Sequence, residues 1–451
     1  MIKLIAKTFQ GLEEILAQEL IELGANEVEI GRRMVAFSGD KEMLYRANFC
    51  LRTAVRILMP IKTFQAKNPD EIYENLKSFA WDEIFDVKNT FAVDAVTFGE
   101  EFRNSRFVTY RVKDAIVDYF TEKTGKRPNI SVANPDFYIN IHIAGTTVTL
   151  SLDSSGESLH QRGYRTGTVK APLNEVMAAA IIKMTGWNGE TDFIDPFCGS
   201  GTLLIEAALI ARNIYPGVFR KSFAFEKWKD FDADLFDRIY NDDSQEREFN
   251  RHIYGYDVDA KAVAIALENV KSAGVAGDVD IVRQDFADFK QPSEKALIVT
   301  NPPYGERLKP EAIEDLYRMI GSQLKHQFVD ADAWLISSRE ELFAAMGMRP
   351  SLRVPLLNGE LECELRKYQI FGGAMKDFKT AGKKLKTDEE RRKMNESSKK
   401  FARQSSFKKE SREERRVDTR TDEEKEFDRK YALLKQRHED YKSWKRGKKR
   451  D

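Results

Sequence analysis

Eight consecutive residues, Asn301-Pro302-Pro303-Tyr304-Gly305-Glu306-Arg307-Leu308, hold the chain's clearest chemical signal. Two prolines fix a rigid bend and remove two N–H donors, which leaves carbonyls and the Asn301 amide oxygen as acceptors facing a cleft. The aromatic Tyr304 closes the bend and can stack on a planar ring. Acceptors at Asn301 and the Pro302 carbonyl suit an exocyclic amine: they hold it, aim its lone pair at an electrophile and stabilise the positive charge developing on nitrogen. No strong general base is needed. The catalytic candidates are therefore Asn301, Pro302 and Tyr304, and the bland alternative is a plain turn between strand and helix.

A second motif lies about a hundred residues upstream, in Asp195-Pro196-Phe197-Cys198-Gly199-Ser200-Gly201-Thr202. It follows a strand and leads into the apolar run Leu203 to Ile210. Glycines at that junction let the backbone turn sharply and approach a ligand, and the helix N-terminus offers free N–H groups. A glycine turn is weak evidence alone. Two further strand ends strengthen it: Asp257 is placed to accept ribose hydroxyls, and Asp285 to accept from an adenine amine, while Asp259 reads as a helix N-cap. The candidate adenosyl-binding set is Asp195, Phe197, Cys198, Gly199, Gly201, Asp257 and Asp285, with Asn301 shared between cofactor and amine. A nicotinamide dinucleotide is the rival ligand, but its fingerprint has a third glycine where this chain has Leu203 and Leu204. Cys198 is misplaced for a nucleophile, because it lies inside the ligand loop.

These motifs need strands to present them. From Leu173 onward the pattern alternates strand and helix, with strands expected at Phe193–Asp195, Ile253–Asp257, Val279–Gln284, Ala296–Thr300 and Ala333–Ser337. Leu352–Leu356 and Glu362–Phe371, turning at Asn358-Gly359, read as an antiparallel hairpin that closes the sheet. The front of the chain is α+β: a strand at Leu4–Ala6, a helix over Gly11–Leu23, strands in Val28–Phe37 and a helix over Lys41–Cys50. Asp70–Ser78 and Ser105–Thr124 follow as helices, with strands at Thr90–Thr97, Tyr138–Ile143 and Thr147–Asp153. A Gly- and Arg-rich connector runs from Gly156 to Pro172.

DPFCGSGT, YGYDVD, RQDF and NPPYGERL resemble the motifs of class I methyltransferases, and the last is similar to that of guanine-N2 RNA methyltransferases. Gly11-Leu12-Glu13-Glu14, Arg103-Asn104-Ser105-Arg106, Val112 to Asp118, His160 to Arg165 and Ala171-Pro172-Leu173 resemble one bacterial group, the THUMP-containing RlmL type. The resemblance covers about residues 1 to 372. It implies an α/β chain: a ferredoxin-like module (1–62), a THUMP RNA-binding domain (63–155), the connector (156–172) and a Rossmann-like methyltransferase domain with a mostly parallel seven-stranded sheet (173–372). It also implies S-adenosylmethionine (SAM) as cofactor and the N2 amine of a guanine in 23S ribosomal RNA as target, guanine-2445 in the best-known members. Some members carry a second methyltransferase domain, where this chain continues into a basic tail, and related THUMP enzymes modify tRNA guanines. The NPPY motif also occurs in DNA adenine-N6 methyltransferases, but the THUMP-like front favours RNA over DNA. A non-catalytic ribosome-assembly protein is the reading from another class, against which the intact motif residues argue.

The RNA partner needs cationic and aromatic surface. Arg103, Arg106 and Lys113 are candidates on the front half, interleaved with Phe102, Phe107 and Tyr110, although a helix face with core aromatics fits the same pattern. Arg162 and Arg165 are candidates for a clamp beside the cleft. The chain has 73 basic and 73 acidic residues, yet residues 376–451 hold 28 Lys and Arg against 17 Asp and Glu. That tail (373–451 as a segment) thus carries about +11, the composition of a polyanion-binding arm that cannot bury enough surface to fold alone. Three separated cysteines, Cys50, Cys198 and Cys363, signal neither a disulfide framework nor a metal site. No signal peptide or membrane-spanning run is expected, which points to the cytoplasm.

Overall fold

The computed structural model describes residues 1–371, except 100, 170–171, 293–294, 305–309, 329–330 and 360. Expectations for Gly305–Leu308, Ala171 and the basic tail fall outside the described residues. The chain forms two compact units. One contains Met1–Leu58, Ser154–Glu226 and the chain from Asp232; the other contains Met59–Asp153 and Lys227–Phe231.

The first unit opens with β1 (Ile2–Lys7), α1 (Glu13–Glu22), β2 (Asn26–Gly31), β3 (Met34–Gly39), α2 (Lys41–Cys50) and the first residues of β4 (Arg56–Gln65). β1 runs antiparallel to β3, from Ile2↔Gly39 to Lys7↔Met34, and to β4 at Ile5↔Leu58. The Val28–Phe37 stretch divides at a turn where Arg33 takes φ 56°. α1 buries Leu16 and Leu20 at the i, i+4 spacing of an inward face. Asp40 starts α2 by accepting from Met43 N at 2.9 Å, which satisfies one orphan donor of the first turn.

The second unit contains α3 (Pro69–Lys77), α4 (Trp81–Ile84), β5 (Thr90–Phe98), α5 (Ser105–Thr124), β6 (Asn129–Ile130), β7 (Phe137–Ala144) and β8 (Thr147–Asp153). β5 pairs parallel with β7, and β7 pairs antiparallel with β8. Asn104 caps α5 through Phe107 N, and Gly125 ends it at φ 65°, where an L side chain would be strained. Trp81, Phe85, Phe91, Phe120 and Phe137 fill the core beneath.

The first unit continues with α6 (Glu175–Thr185), β9 (Asp192–Asp195), α7 (Thr202–Ala211), α8 (Ala233–Tyr240), β10 (Ile253–Asp257), α9 (Ala260–Ser272), β11 (Val279–Arg283), β12 (Ala296–Thr300), α10 (Pro310–Gln327), β13 (Asp332–Ser337), α11 (Glu340–Ala345), β14 (Leu352–Asn358) and β15 (Leu361–Gln369). The sheet order is β11-β10-β9-β12-β13-β15-β14. Strands β9 to β13 are parallel, whereas β15 is antiparallel to both β13 and β14. Every residue of β9 and β12 is buried, as expected for strands covered by helices on both faces. Strand order reverses between β9 and β12, and a crevice opens at the carboxyl ends of strands at such a point. The Asp195 and Asn301 motifs begin there. α8 buries Phe236 and is capped by Asp232, whose side chain accepts from Leu235 N.

Candidate cofactor and amine-binding site

The glycine loop forms because its glycines can adopt what other residues cannot. Gly199 takes φ +54° and Gly201 φ +82°. Among the described residues, a Cβ at Gly199 would have only Val169 Cγ2 nearby, at 3.7 Å, which leaves that side of the loop without a close described neighbour. A Cβ at Gly201 would stand 3.3 Å from the Ala266 methyl, so this glycine lets the loop press on α9. Gly255 in β10 does the same for α7: a Cβ there would come 2.3 Å from Leu204 Cδ1.

Asp257, at the end of β10, faces the loop. Its Oδ2 accepts from Gly199 N at 3.0 Å and its Oδ1 from Asp259 N at 2.9 Å. Each carboxylate oxygen keeps capacity for another donor, such as a ribose hydroxyl. Asp259 caps α9 by accepting from Lys261 N at 2.9 Å. Asp285 is exposed and accepts from Ala287 N. Phe197 is half-buried, with its ring edge against Phe286 at 5.5 Å between centroids.

Asp195 is 1% exposed. Its Oδ1 accepts from Thr300 Oγ1 at 2.6 Å and from Phe197 N at 3.1 Å. Burial pushes its carboxyl up to about 7, against the pull of those two donors. Cys198 is also buried, and desolvation holds its thiol well above the usual range, so it is a neutral packing group rather than a nucleophile.

At the end of β12, Asn301 Oδ1 is buried and has no hydrogen-bond partner among the described residues. Such an orphan costs about 1–3 kcal/mol and is uncommon in a stable fold. Pro302 beside it is buried. Tyr304 is half-buried, and its hydroxyl meets the side chains of Asn358 and Cys363, which secures the ring against the β14–β15 hairpin.

The connector arginines take a different place from the expected clamp. Arg162 is 2% exposed; its Nη1 donates to Leu159 O at 2.8 Å, its Nη2 to Arg52 O, and its Nε lies 3.5 Å from Glu206 Oε1. Tyr164 OH donates to the same Glu206 oxygen at 3.0 Å. A guanidinium committed to a buried carboxylate and two carbonyls cannot reach a phosphate, so Arg162 is a buried internal tie and not the RNA-binding residue its sequence context suggests. Arg165 pairs with Glu175 at 2.9 Å and donates to Thr202 Oγ1 at 3.0 Å, gripping the first turns of α6 and α7. Its role is internal too. In the second unit, Arg103 and Arg106 are exposed around the start of α5, and Lys113 Nζ lies 4.5 Å from the Tyr110 ring centre. Phe102 is a core residue, at 4% exposure.

Two residues at the site carried no sequence signal. Thr300 tethers Asp195, and Asn269 bonds the connector to the glycine loop: its Nδ2 donates to Ser200 O at 2.9 Å and to Gly167 O at 3.0 Å. A lone Asn or Thr reads as ordinary helix or strand until its partners are known.

Three family models match the chain: the RlmL ferredoxin-like domain over residues 3–58, the THUMP domain over 66–153, and the RMKL-like methyltransferase domain over 162–367. A protein of Synechocystis sp. (strain ATCC 27184 / PCC 6803 / Kazusa), assigned by name to RNA methylation, is 38% identical over 81% of this chain and 96% of its own length. The "Ribosomal RNA large subunit methyltransferase K/L" of Syntrophotalea carbinolica is 39% identical over 82% of this chain, which spans about half (54%) of that protein. A crystal structure of SMU.472, described as a methyltransferase and complexed with SAH, is 30% identical, with a TM-score of 0.74 over 83% of this chain and 99% of that one.

Proposed function

The chain belongs to the THUMP-bearing, RMKL-like methyltransferase family, and on that premise we propose that it transfers the methyl group of SAM to the exocyclic N2 amine of a guanine in large-subunit ribosomal RNA. The observation that carries this reading is the buried Asn301 Oδ1, without a partner among the described residues, at the strand end beside the glycine loop.

The residues present fit the cofactor. Gly199 and Gly201 supply the left-handed turn of the loop, and Asp257 would accept from ribose hydroxyls, Asp285 from the adenine amine, with Phe197 beside them. When bound, SAM supplies an electrophilic methyl on a sulfonium. Asn301 Oδ1 and the Pro302 carbonyl would accept the two amine hydrogens, hold the nitrogen lone pair toward that methyl, and stabilise the charge on nitrogen as the C–N bond forms and the sulfonium S–C bond breaks, with S-adenosylhomocysteine as the leaving group. The proton then leaves to water. Tyr304 stacks on the guanine ring. A base inside a duplex cannot reach this recess, so the target is flipped out or unpaired. Arg103, Arg106 and Lys113 are the side chains proposed for RNA contact. The large-subunit target is supported by the name of the Syntrophotalea relative, of which this chain spans about half.

Incubation of the purified protein with labelled SAM and with ribosomal RNA or tRNA from a strain lacking the gene, followed by nucleoside mass spectrometry, tests this. N2-methylguanosine in 23S RNA is the expected product. The same product in tRNA alone would overturn the ribosomal assignment, and N6-methyladenine would overturn the choice of amine.

A further inference from the structure

We infer that Asn269 is a positioning residue for cofactor binding, which builds one wall of the pocket by locking the connector to the glycine loop; this rests on the reading of that loop as the SAM site. Asn269 lies in α9 and is 1% exposed. Its amide spends its whole hydrogen-bonding capacity on two chain segments remote in sequence. Oδ1 accepts from Thr166 N at 2.8 Å, Thr166 Oγ1 at 3.1 Å and Gly167 N at 3.2 Å. Nδ2 donates to Gly167 O at 3.0 Å and to Ser200 O at 2.9 Å. One side chain thus holds the backbone of 166–167 and the centre of the Gly199-Ser200-Gly201 turn at once.

Packing around it has the same purpose. A Cβ on Gly167 would stand 3.3 Å from Ile265 Cγ2, and one on Gly201 would stand 3.3 Å from Ala266 Cβ, so both segments lie close against the same face of α9. Two residues beyond Gly167, Val169 is the side chain that comes nearest the open side of Gly199. The connector therefore flanks the place where a ligand meets the loop, and Asn269 sets the distance between them. An amide suits this task because it donates and accepts together. A carboxylate would face the carbonyls of Ser200 and Gly167 with lone pairs on both sides.

The test uses the full-length protein with SAH as the probe, read by calorimetry and by hydrogen exchange. Asn269→Ala should raise the SAH dissociation constant roughly tenfold or more, since a buried network is lost. It should also speed exchange in peptides covering 164–169 and 198–202, leave RNA affinity unchanged, and leave kcat at saturating SAM within about twofold. Asn269→Asp should not restore binding. In the wild type, SAH should slow exchange in both peptides together, a result that does not depend on any variant folding. Equal SAH affinity in wild type and variant, or protection of 198–202 without 164–169 in the wild type, overturns the inference alone. Failure of the wild type to bind SAH overturns the cofactor reading and this inference with it.

Discussion

Thr300 Oγ1 lies 2.6 Å from Asp195 Oδ1, a buried bond between the last residue of β12 and the last residue of β9. The next residue on one strand is Asn301, and the glycine loop begins just beyond the other. The bond thus fixes Asn301, the proposed amine acceptor, relative to the glycine loop, and in-line transfer in the proposed reaction would depend on that spacing.

Loss of the acceptor should be felt in turnover. Asn301→Ala is expected to lower kcat by a factor of roughly 100 or more, with the RNA dissociation constant within about twofold, because the contact strengthens as charge develops. Single-turnover methylation and filter binding check the two halves. Equal loss of binding and rate would assign Asn301 to ground-state recognition instead.

The Asp195 carboxyl, raised to about 7, stands above the ~4 of an exposed Asp. Between those values the native chain keeps a proton that the unfolded chain has released. The contribution is fully present below about pH 4 and is lost as pH rises toward 7. Asp195→Asn should flatten that part of the stability profile, read as denaturation midpoints from pH 4.5 to 7.5. A variant whose midpoints track the wild type in parallel would rule the carboxyl out.

Breaking the Arg162–Glu206 pair leaves a charge stranded in the interior. Arg162→Ala should cost on the order of 3–5 kcal/mol, seen as a lower urea midpoint, while the salt dependence of RNA binding stays as in the wild type. A smaller salt slope in a normally stable variant would return Arg162 to the RNA-contacting set.

Gly201→Ala puts a methyl on a residue at φ +82° and against Ala266. The loop must shift, so SAH affinity should drop roughly tenfold or more with a change in melting temperature of only a few degrees. Calorimetry decides, and unchanged affinity would place the ligand elsewhere.

The candidate site's outline was legible because the residue types that suit the proposed chemistry coincide with punctuation. Glycines after Asp195 and prolines after Asn301 mark strand ends, and strand ends are where a parallel sheet places its ligands. Even the division of labour between Asp257 and Asp259 follows from one closing a strand and the other opening a helix. Partner choice in the interior was not legible. Arg162 sits in a basic, glycine-rich loop that reads as surface; that its partner is Glu206 depends on α7 turning a carboxylate inward 44 residues later. Asn269 is equally silent, for its five bonds go to residues about 70 to 100 positions away. Likewise Phe102 reads as a base-stacking candidate and is a core residue, since an aromatic beside an arginine has the same composition in either place.

The first unit is assembled from segments that the ribosome makes far apart in time. Asn48 hydrogen-bonds Ser154, 106 residues later, and the Arg52 carbonyl accepts from Arg162, 110 residues later. When the N-terminal module emerges, these buried polar groups have no native partners. The intervening stretch, whose buried core residues lie between Ala66 and Leu152, can close first, with Trp228 added to its edge later. During synthesis, then, the beginning of the chain is expected to be among the last parts to settle, and pulse-labelling of stalled nascent chains would reveal that order.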